Sequence, residues 1–177
     1  EQFIMEIMQN DNELAKFLQK ILGYSLSGNT NLECFFILYG STTRNGKGTL
    51  METMLKVMGD YGSAAKPETI RAMRQKSGSA PNEDIARLKD IRFVNMSEPD
   101  KGLIIDSALV KTLTGQDTIA VRKLYQNSFN LVPKFKIFIN TNYLPNIEDD
   151  TLFSSGRVIV IPFEHHFEDD EQDKNLK

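Results

Sequence analysis

A chain of 177 residues that is 40% hydrophobic and 25% charged is predicted to form one ordinary folded domain with enough apolar material for a core. The single cysteine, Cys34, excludes a disulfide framework and, with only two histidines, a zinc cluster; its apolar surroundings indicate a buried thiol in a reducing compartment. The net charge of −3 does not by itself favour nucleic-acid binding, and no apolar run approaches the ~18 residues of a membrane helix.

Helical and strand-like apolar patterns alternate along the chain. Apolar residues that recur every three or four positions predict helices, and short continuous apolar runs predict strands buried on both faces. The predicted helices are residues 1–22, broken near residues 10–12 and stopped by Gly23, residues 47–58, ending at Gly59, and a helix capped by Asp106 or Ser107 that reaches Leu113. The predicted buried strands are residues 33–39, 91–97, 135–141 and 157–163. Residues from 60 to about 81 fit neither pattern.

A weaker alternation predicts a β-hairpin in the second half of the chain. Residues 118–124 and 129–132 form its two arms, and "YQNS" between them is typical of a turn. Because strands otherwise alternate with helices, the chain is predicted to be an α/β domain with a largely parallel sheet.

The stretch "LYGSTTRNGKGTL" ends the first buried strand and opens a predicted helix. A strand, a glycine-bearing polar loop and a helix together bind phosphate, because glycine lets backbone N–H groups approach the ligand and the helix adds the positive end of its dipole. Lys47 would reach the outer phosphates as a point charge. The alternative is a surface turn with an exposed lysine.

The loop departs from the G-x-x-x-x-G-K-[ST] pattern at two positions. Gly40 lies one residue too early, and Gly48 occupies the usual hydroxyl position, which leaves Thr49 as the nearest candidate ligand for Mg²⁺. The residues expected to contact the triphosphate are Gly40, Thr43, Asn45, Gly46, Lys47, Gly48, Thr49 and Leu50.

Polar residues after the later strands are expected to face the phosphates, because ligands collect at the carboxyl ends of strands in open α/β sheets. Glu98 could hold Mg²⁺ together with Thr49 or polarise the attacking water, unless it only begins the loop "EPDKG". Asn142 could bind the attacking water or the terminal phosphate, unless it only forms a turn. Arg157 could pair with an acid of its own chain or reach a nucleotide on a neighbouring subunit.

The net charge hides an uneven distribution. Residues 108–140 contain five basic residues and one acid, Asp117, whereas residues 164–177 contain six acids and two lysines. Lys111, Arg122 and Lys123 line the predicted hairpin and the helix before it, where they could follow a single nucleic-acid strand. A solvated basic face is an equally good interpretation of that spacing.

These segments, in this order, resemble the superfamily 3 helicases, specifically the helicase domain of phage and plasmid primase-helicases. "LYGSTTRNGKGTL" resembles the Walker A segment, and "RFVNMSEPDKG" resembles the Walker B strand with Glu98 at the catalytic acid. "LVKTLTGQDTIAVRKLYQNSFNLVP" resembles the B′ segment and its channel hairpin, and "KIFINTNYLPNI" resembles motif C with Asn142 as the polar sensor. "DDTLFSSGRVIVIPFEHHF" resembles the closing segment with Arg157 as the arginine finger, although Gly156 replaces the first arginine of the usual pair.

The resemblance implies a P-loop ATPase with an AAA+-like core: a mostly parallel five-stranded sheet flanked by helices, with a β-hairpin insertion. It also implies ATP and Mg²⁺ as ligands, a hexameric ring that moves along single-stranded DNA, a primase domain in the same longer chain, and the cytoplasm of a bacterial host cell. No membrane contact is expected. The expected division is a helical segment at residues 1–30 that packs on the core, the ATPase/helicase core at residues 31–165, and an acidic C-terminal tail or the start of a following segment at residues 166–177.

Two other functions fit parts of the sequence. "GKGT" also occurs in adenylate-kinase-like loops, and a P-loop nucleotide kinase would use several arginines, for which Arg71, Arg74 and Arg87 are candidates. The second alternative is a non-catalytic module that binds nucleotide or DNA within a replication complex.

Overall fold

The computed structural model describes residues 1–72, 82–173 and 176, and its helices and strands alternate as the sequence predicts. The helices are α1 (Gln2–Ile7), α2 (Asn12–Ser25), α3 (Lys47–Met58), α4 (Glu83–Ala86), α5 (Ser107–Thr114) and α6 (Thr151–Ser154). The strands are β1 (Phe35–Tyr39), β2 (Gly62–Ala65), β3 (Phe93–Ser97), β4 (Ile119–Arg122), β5 (Ser128–Leu131), β6 (Lys136–Thr141) and β7 (Val158–Pro162). None of the helices in these ranges is long and apolar enough to cross a membrane.

Five strands form one sheet in the order β2-β3-β6-β1-β7, and every pairing between them is parallel. β4 and β5 form a separate antiparallel hairpin. The fold class is therefore confirmed: an α/β domain with a mostly parallel five-stranded sheet, flanking helices and a small hairpin, consistent with a P-loop NTPase-like core. Parallel pairing brings the carboxyl ends of all five strands, and the loops that follow them, to one edge of the sheet.

The central strands are apolar on both faces because each face packs against its own buried cluster. Phe36, Leu38 and Phe138 face a cluster that includes residues of α1, α2 and α3, and the rings of Phe36 and Phe138 stack with their centroids 4.7 Å apart. Phe35 and Ile139 face a second cluster that includes residues of α5, β4 and β5. The first cluster fixes α3, and with it the loop that precedes α3, against the sheet.

The prediction that Gly23 stops the N-terminal helix is wrong, because α2 continues to Ser25. The break at residues 10–12 is confirmed, and Asp11 caps α2 by accepting hydrogen bonds from the amides of Glu13 and Leu14. Beyond Gly23, Tyr24 packs against the first cluster and Ser25 is fully buried. The apolar surface that Tyr24 buries, at about 25 cal/mol per Å², offsets the roughly 1 kcal/mol cost of glycine inside a helix.

The stretch that fits no pattern in the sequence contains β2, which pairs with β3 at the edge of the sheet. Its residues are Gly, Ser, Ala and Ala, so backbone pairing rather than side-chain pattern makes it a strand. Arg74 lies outside the described residues.

Candidate nucleotide-binding site

The loop between β1 and α3 has the backbone shape of an anion-binding nest. Arg44 and Gly46 adopt left-handed conformations with φ of +55° and +80°, and Asn45 lies between them. Alternation of this kind turns successive backbone N–H groups toward one concave surface. Within the described ranges, the amides of residues 42–46 donate to no acceptor. α3, a helix of 12 residues, begins at Lys47 and directs its own unpaired amides to the same place.

Glycine is required at both ends of this loop. A Cβ atom on Gly40 would lie 2.9 Å from the Nζ atom of Lys47 and closer still to the Asn45 amide and the Phe163 carbonyl. A Cβ atom on Gly46 would collide with the side chain of Ile7 in α1. Gly40 therefore starts the loop, which is one residue longer than in the G-x-x-x-x-G-K-[ST] pattern. Arg44, with its left-handed backbone, lies within this longer loop.

Lys47 is buried beneath the loop, with only 3% of its surface exposed. Its Nζ atom donates a hydrogen bond to the Gly40 carbonyl at 3.3 Å. Burial lowers the pKa of Lys47 to about 8, because the ammonium group has lost much of its water. A phosphate in the nest would give this ammonium group a negatively charged partner, which it does not have among the described residues.

The carbonyl of Thr42 links the loop to the end of β6. It accepts hydrogen bonds from the side-chain amides of Asn45 at 2.6 Å and Asn142 at 3.1 Å. The structure thus brings the predicted sensor residue Asn142 into contact with the predicted phosphate loop. The side chain of Asn45 is buried and shapes the loop from within.

The segment after β7 holds the outer side of the same loop. The Nδ1 atom of His166 hydrogen-bonds the carbonyl of Thr43 at 2.8 Å, and the amide of Phe167 donates to the carbonyl of Arg44 at 2.8 Å. The guanidinium of Arg44 also pairs with Asp169 at 2.5 Å. We call these three contacts the loop clamp. The sequence predicts an acidic tail or the start of a following segment at residues 166–177, and its composition gives no sign of this attachment.

A cavity of about 570 Å³ opens beside the nest, which is within the usual range of about 300–1,000 Å³ for ligand sites. Gly46 and Thr49 line it together with two aromatic residues, Phe3 of α1 and Phe167, and with the acids Glu6, Glu171 and Asp173. The loop, the N-terminal helix and the segment after β7 therefore enclose a space next to the anion-binding backbone. The sequence does not predict this aromatic lining, because the pattern around Phe3 indicates only an amphipathic helix.

Glu98 lies at the same sheet edge as the loop, but it follows β3, which β6 separates from β1. Two strand spacings of about 4.8 Å therefore lie between the two positions. Glu98 is exposed, its φ is +55°, and its amide donates to the Asn140 carbonyl at 2.9 Å. Glu98 therefore shares the loop's edge of the sheet without adjoining the loop.

Two further polar residues of β3, Asn95 and Ser97, share the strand face that Phe93 presents to the α3 cluster. The side-chain amide of Asn95 donates to the Ser97 hydroxyl at 3.0 Å, while the Oδ1 atom of Asn95 is buried without a partner among the described residues. An asparagine inside an otherwise apolar strand was the signal in the sequence that could have identified this pair.

The donors present fit a Mg²⁺ ion that is shared with phosphate. The described part of the chain holds no group of three or more His, Cys, Asp or Glu side chains. Mg²⁺ needs no such group, because it is usually held by one or two carboxylates, substrate phosphates and waters. Glu98 and the Thr49 hydroxyl would supply oxygen donors of that kind.

The remaining predicted nucleotide residues differ in their surroundings. Gly48 is exposed, and a Cβ atom built on it meets nothing within 4 Å. Leu50 instead has a buried side chain in the first cluster, and its amide donates to the Gly46 carbonyl at 3.0 Å.

Arg157 lies at the opposite edge of the sheet, at the amino end of β7. Its guanidinium forms an ion pair with Glu33 and donates to the Thr114 hydroxyl at 3.0 Å. Of the two interpretations of Arg157, the pairing with an acid of the same chain is thus present. The structure does not bring Arg157 to the phosphate loop of its own chain.

The three predicted DNA-binding residues differ in their surroundings. Lys111 on α5 pairs with Asp149 at 2.6 Å and donates to the Thr151 hydroxyl at 2.7 Å, so it ties α5 to the start of α6. The hydrogen bond that Lys111 donates to Asp149 is the main reason that the pKa of Asp149 falls to about 2. Arg122 ends β4 and Lys123 begins the hairpin tip, so these two lie side by side.

The fold and this loop define a class: an α/β domain with a P-loop NTPase-like core. The chain belongs to the family described as "Family of unknown function (DUF5906)", whose model matches residues 38–157.

Two relatives are viral proteins. "Putative helicase L207/L206" of Acanthamoeba polyphaga mimivirus is 35% identical over 158 residues, which cover 88% of this chain and 16% of that protein. "Putative helicase 022R" of Frog virus 3 (isolate Goorha) is 28% identical over 169 residues, which cover 93% of this chain and 17% of that protein. The chain thus spans about a sixth of the length of these curated relatives.

Solved structures with a similar fold include two of the C-terminal region of NrS-1. The A-form apo structure has a TM-score of 0.68 at 16% identity, covering 98% of this chain and 39% of that one. The apo structure of residues 305–718 has a TM-score of 0.64 at 16% identity and the same coverage. At this identity the likeness shows the fold alone.

Proposed function

We propose that the chain is the ATPase domain of a DNA helicase that couples ATP hydrolysis to movement along single-stranded DNA. The observation that carries the proposal is the nest of residues 42–46, with the buried ammonium group of Lys47 beneath it. Backbone donors without acceptors and a desolvated cation together fit a triphosphate. The two relatives named as helicases support the helicase part.

Each residue of the site has a role in this proposal. The nest and Lys47 hold the β- and γ-phosphates, and Phe3 and Phe167 flank the rest of the nucleotide. Thr49 and Glu98 hold Mg²⁺, which neutralises charge on the phosphate oxygens. Glu98 also accepts a hydrogen bond from the attacking water, and Asn142 turns its amide from the Thr42 carbonyl to the terminal phosphate.

The proposal extends to an assembly. Arg157 faces away from its own loop, so it could act on a nucleotide only across a subunit boundary and only after leaving Glu33. A closed ring of six copies would create such boundaries, and a primase domain in the same longer polypeptide would supply primers. The hairpin with Arg122 and Lys123 would follow the DNA backbone through contacts that do not depend on sequence.

ATPase activity of the longest natural polypeptide, with and without single-stranded DNA, tests the proposal. We expect hydrolysis that DNA stimulates, loss of nucleotide binding in Lys47→Ala, and retained binding without turnover in Glu98→Gln. Hydrolysis that is the same in all three proteins would overturn the assignment of the site. Nucleotide binding without turnover in the parent protein would instead favour the non-catalytic module.

The nucleotide kinase is the weaker alternative because two of its candidate arginines are already paired. Arg71 contacts Glu68 at 3.4 Å and Asp100 at 2.7 Å, and Arg87 contacts Glu83 at 2.8 Å. Transfer of phosphate from ATP to a nucleoside monophosphate, without stimulation by DNA, would reverse this preference.

A further inference from the structure

Tyr125 stands at the tip of the β4–β5 hairpin with 97% of its surface exposed. The tip comprises residues 123–127, and the amide of Gln126 donates to the carbonyl of Lys123 at 3.2 Å, which closes a turn around Tyr125. In the described ranges no aromatic ring and no cation lies against the tyrosine ring. Tyr125 is thus a large planar group presented to solvent.

Folding does not explain a tyrosine at this position. Its φ is +59°, in the left-handed region that favours glycine or asparagine and disfavours bulky residues. The hairpin is attached to the body of the domain through Val121 and Leu131, which are 1% and 3% exposed, and through hydrogen bonds with Asn82. Tyr125 itself is almost fully exposed and makes no recorded contact with the described residues, so a glycine at position 125 would serve the fold better.

The charge around the tip points to an anionic partner. Residues 118–147 contain no Asp or Glu, and Arg122 and Lys123 directly precede the exposed pair Leu124 and Tyr125. A planar group that follows two cations, in a stretch of sequence without acids, matches a polymer that presents flat bases between phosphates.

We propose that the ring of Tyr125 is a stacking platform for one base of single-stranded DNA, while Arg122 and Lys123 contact the adjacent phosphates. This inference rests on the proposed function. It adds a stacking contact with a base to the ionic contacts with phosphates that the proposed function gives to the hairpin. Stacking on an aromatic ring tolerates every base, so the contact suits a protein that moves along DNA of any sequence.

Binding of a fluorescein-labelled 20-mer of thymidylate, measured by anisotropy over a series of salt concentrations, tests the contact. We expect Tyr125→Gly to weaken binding roughly 5- to 100-fold, the usual range for one lost stacked base, and Tyr125→Phe to bind like the parent. The salt slope of Tyr125→Gly should equal that of the parent, whereas Lys123→Ala should reduce it by about 0.7. The melting temperature of Tyr125→Gly should equal or exceed that of the parent, which separates lost contact from lost fold.

A tryptophan at the tip gives a direct optical test, because the chain contains no tryptophan. Fluorescence of Tyr125→Trp should be quenched when the 20-mer binds, and much less so by an abasic strand of equal charge. Tyr61→Trp is the matched control, since Tyr61 is 47% exposed, precedes β2 outside the hairpin, and has its ring 4.0 Å from the guanidinium carbon of Arg92. Its fluorescence should not change.

Failure of the inference and failure of the proposed function give different results. If the parent and Tyr125→Gly bind DNA equally well, the stacking contact is wrong. It is also wrong if the substitution weakens binding to intact and abasic strands by the same factor. If neither protein binds DNA, the DNA part of the proposed function is wrong as well. Two other results for Tyr125→Gly would overturn the inference if its DNA binding is unchanged. Loss of binding to anionic lipid vesicles would assign the tip to a membrane. Loss of self-association in sedimentation would assign it to a second copy of the chain.

Discussion

The Nζ atom of Lys47 donates to the carbonyl oxygen of Gly40 at 3.3 Å, so the lysine that follows the loop reaches back to the residue that begins it. The same Nζ atom would lie 2.9 Å from a Cβ atom at position 40, which makes glycine there a condition for this contact. A neutral carbonyl is a weak partner for a buried ammonium group. The loop is therefore closed by an interaction that a phosphate oxygen would replace with a stronger one.

Replacing Lys47 by methionine should stabilise the fold while abolishing nucleotide binding. At pH 7 folding moves this lysine from water to a buried site, and removing that cost should raise the free energy of unfolding by roughly 1–3 kcal/mol. Urea denaturation measures the change, and Lys56→Met on the exposed side of the last turn of α3 should leave stability unaltered. A destabilised Lys47→Met protein would contradict the burial cost.

The pH dependence of stability should carry the signature of the same group. The folded pKa of Lys47 is about 8 against an ordinary value of 10.5, so from pH 8 to 10.5 the unfolded state binds more protons and stability should rise with pH. Lys136, whose pKa is also lowered to about 8, contributes in the same direction. The rise should therefore be roughly halved, but not removed, in Lys47→Met. An unchanged rise in that variant would assign it to other groups.

Nucleotide affinity should follow the opposite trend. Above about pH 8 the free protein loses the Lys47 proton, which must be restored before the ammonium group can hold a phosphate, so affinity should fall roughly tenfold per pH unit. Titration with a non-hydrolysable ATP analogue from pH 7 to 9.5 measures this. Affinity that stays flat through that range would mean that Lys47 does not contact the ligand.

The main elements of the fold were predictable because their cause is local. The helix from Lys47 to Met58 has the predicted bounds, since Gly46 and Gly59, both with positive φ, flank it and its apolar residues face one side. β2 was not predictable because its pairing depends on a neighbouring strand and its own residues carry no apolar signal. The extension of α2 past Gly23 likewise depends on a tertiary contact, the packing of Tyr24.

The candidate site also has a part that the sequence predicts and a part that it does not. The loop residues lie within one short motif, and the contact of Asn142 with the loop follows from the parallel order of the strands. The cavity could not be predicted, because Phe3, Gly46 and Phe167 come from distant parts of the chain and meet only in three dimensions. The Arg157–Glu33 pair is of this second kind, since no spacing in the sequence selects Glu33 among the acids.

The hydroxyl position after the lysine offers a rescue experiment. Thr49→Ala should weaken binding of Mg²⁺–nucleotide if its hydroxyl serves the metal in place of the missing residue at position 48. Because a Cβ atom on Gly48 meets nothing within 4 Å, Gly48→Ser should fold normally, and the double variant Gly48→Ser, Thr49→Ala should recover the affinity. Titrations with and without Mg²⁺ measure these affinities. Failure of the serine to restore binding would place the metal elsewhere.

Arg157 can be tested for a structural role and a catalytic role at once. Glu33→Gln and Arg157→Ala each break the half-buried ion pair, and a double-mutant cycle on unfolding should give a coupling of about 1–3 kcal/mol. If Arg157 also acts across a subunit boundary, Arg157→Ala should lower ATP turnover by on the order of 10³-fold, whereas Glu33→Gln should leave it nearly intact. Equal turnover in both variants would confine Arg157 to its structural role.

The loop clamp should govern nucleotide binding more than overall stability. The pair between Arg44 and Asp169 is exposed, so Asp169→Asn should change the free energy of unfolding by less than about 1 kcal/mol. The same change should weaken binding of an ATP analogue by roughly threefold, because the loop loses an anchor that holds its amides in the binding shape. Calorimetric titration measures the affinity, and Asp170→Asn is the adjacent control. Tighter binding in Asp169→Asn would mean that the ion pair instead holds Arg44 away from the phosphates, in which case the clamp restrains the site rather than preparing it.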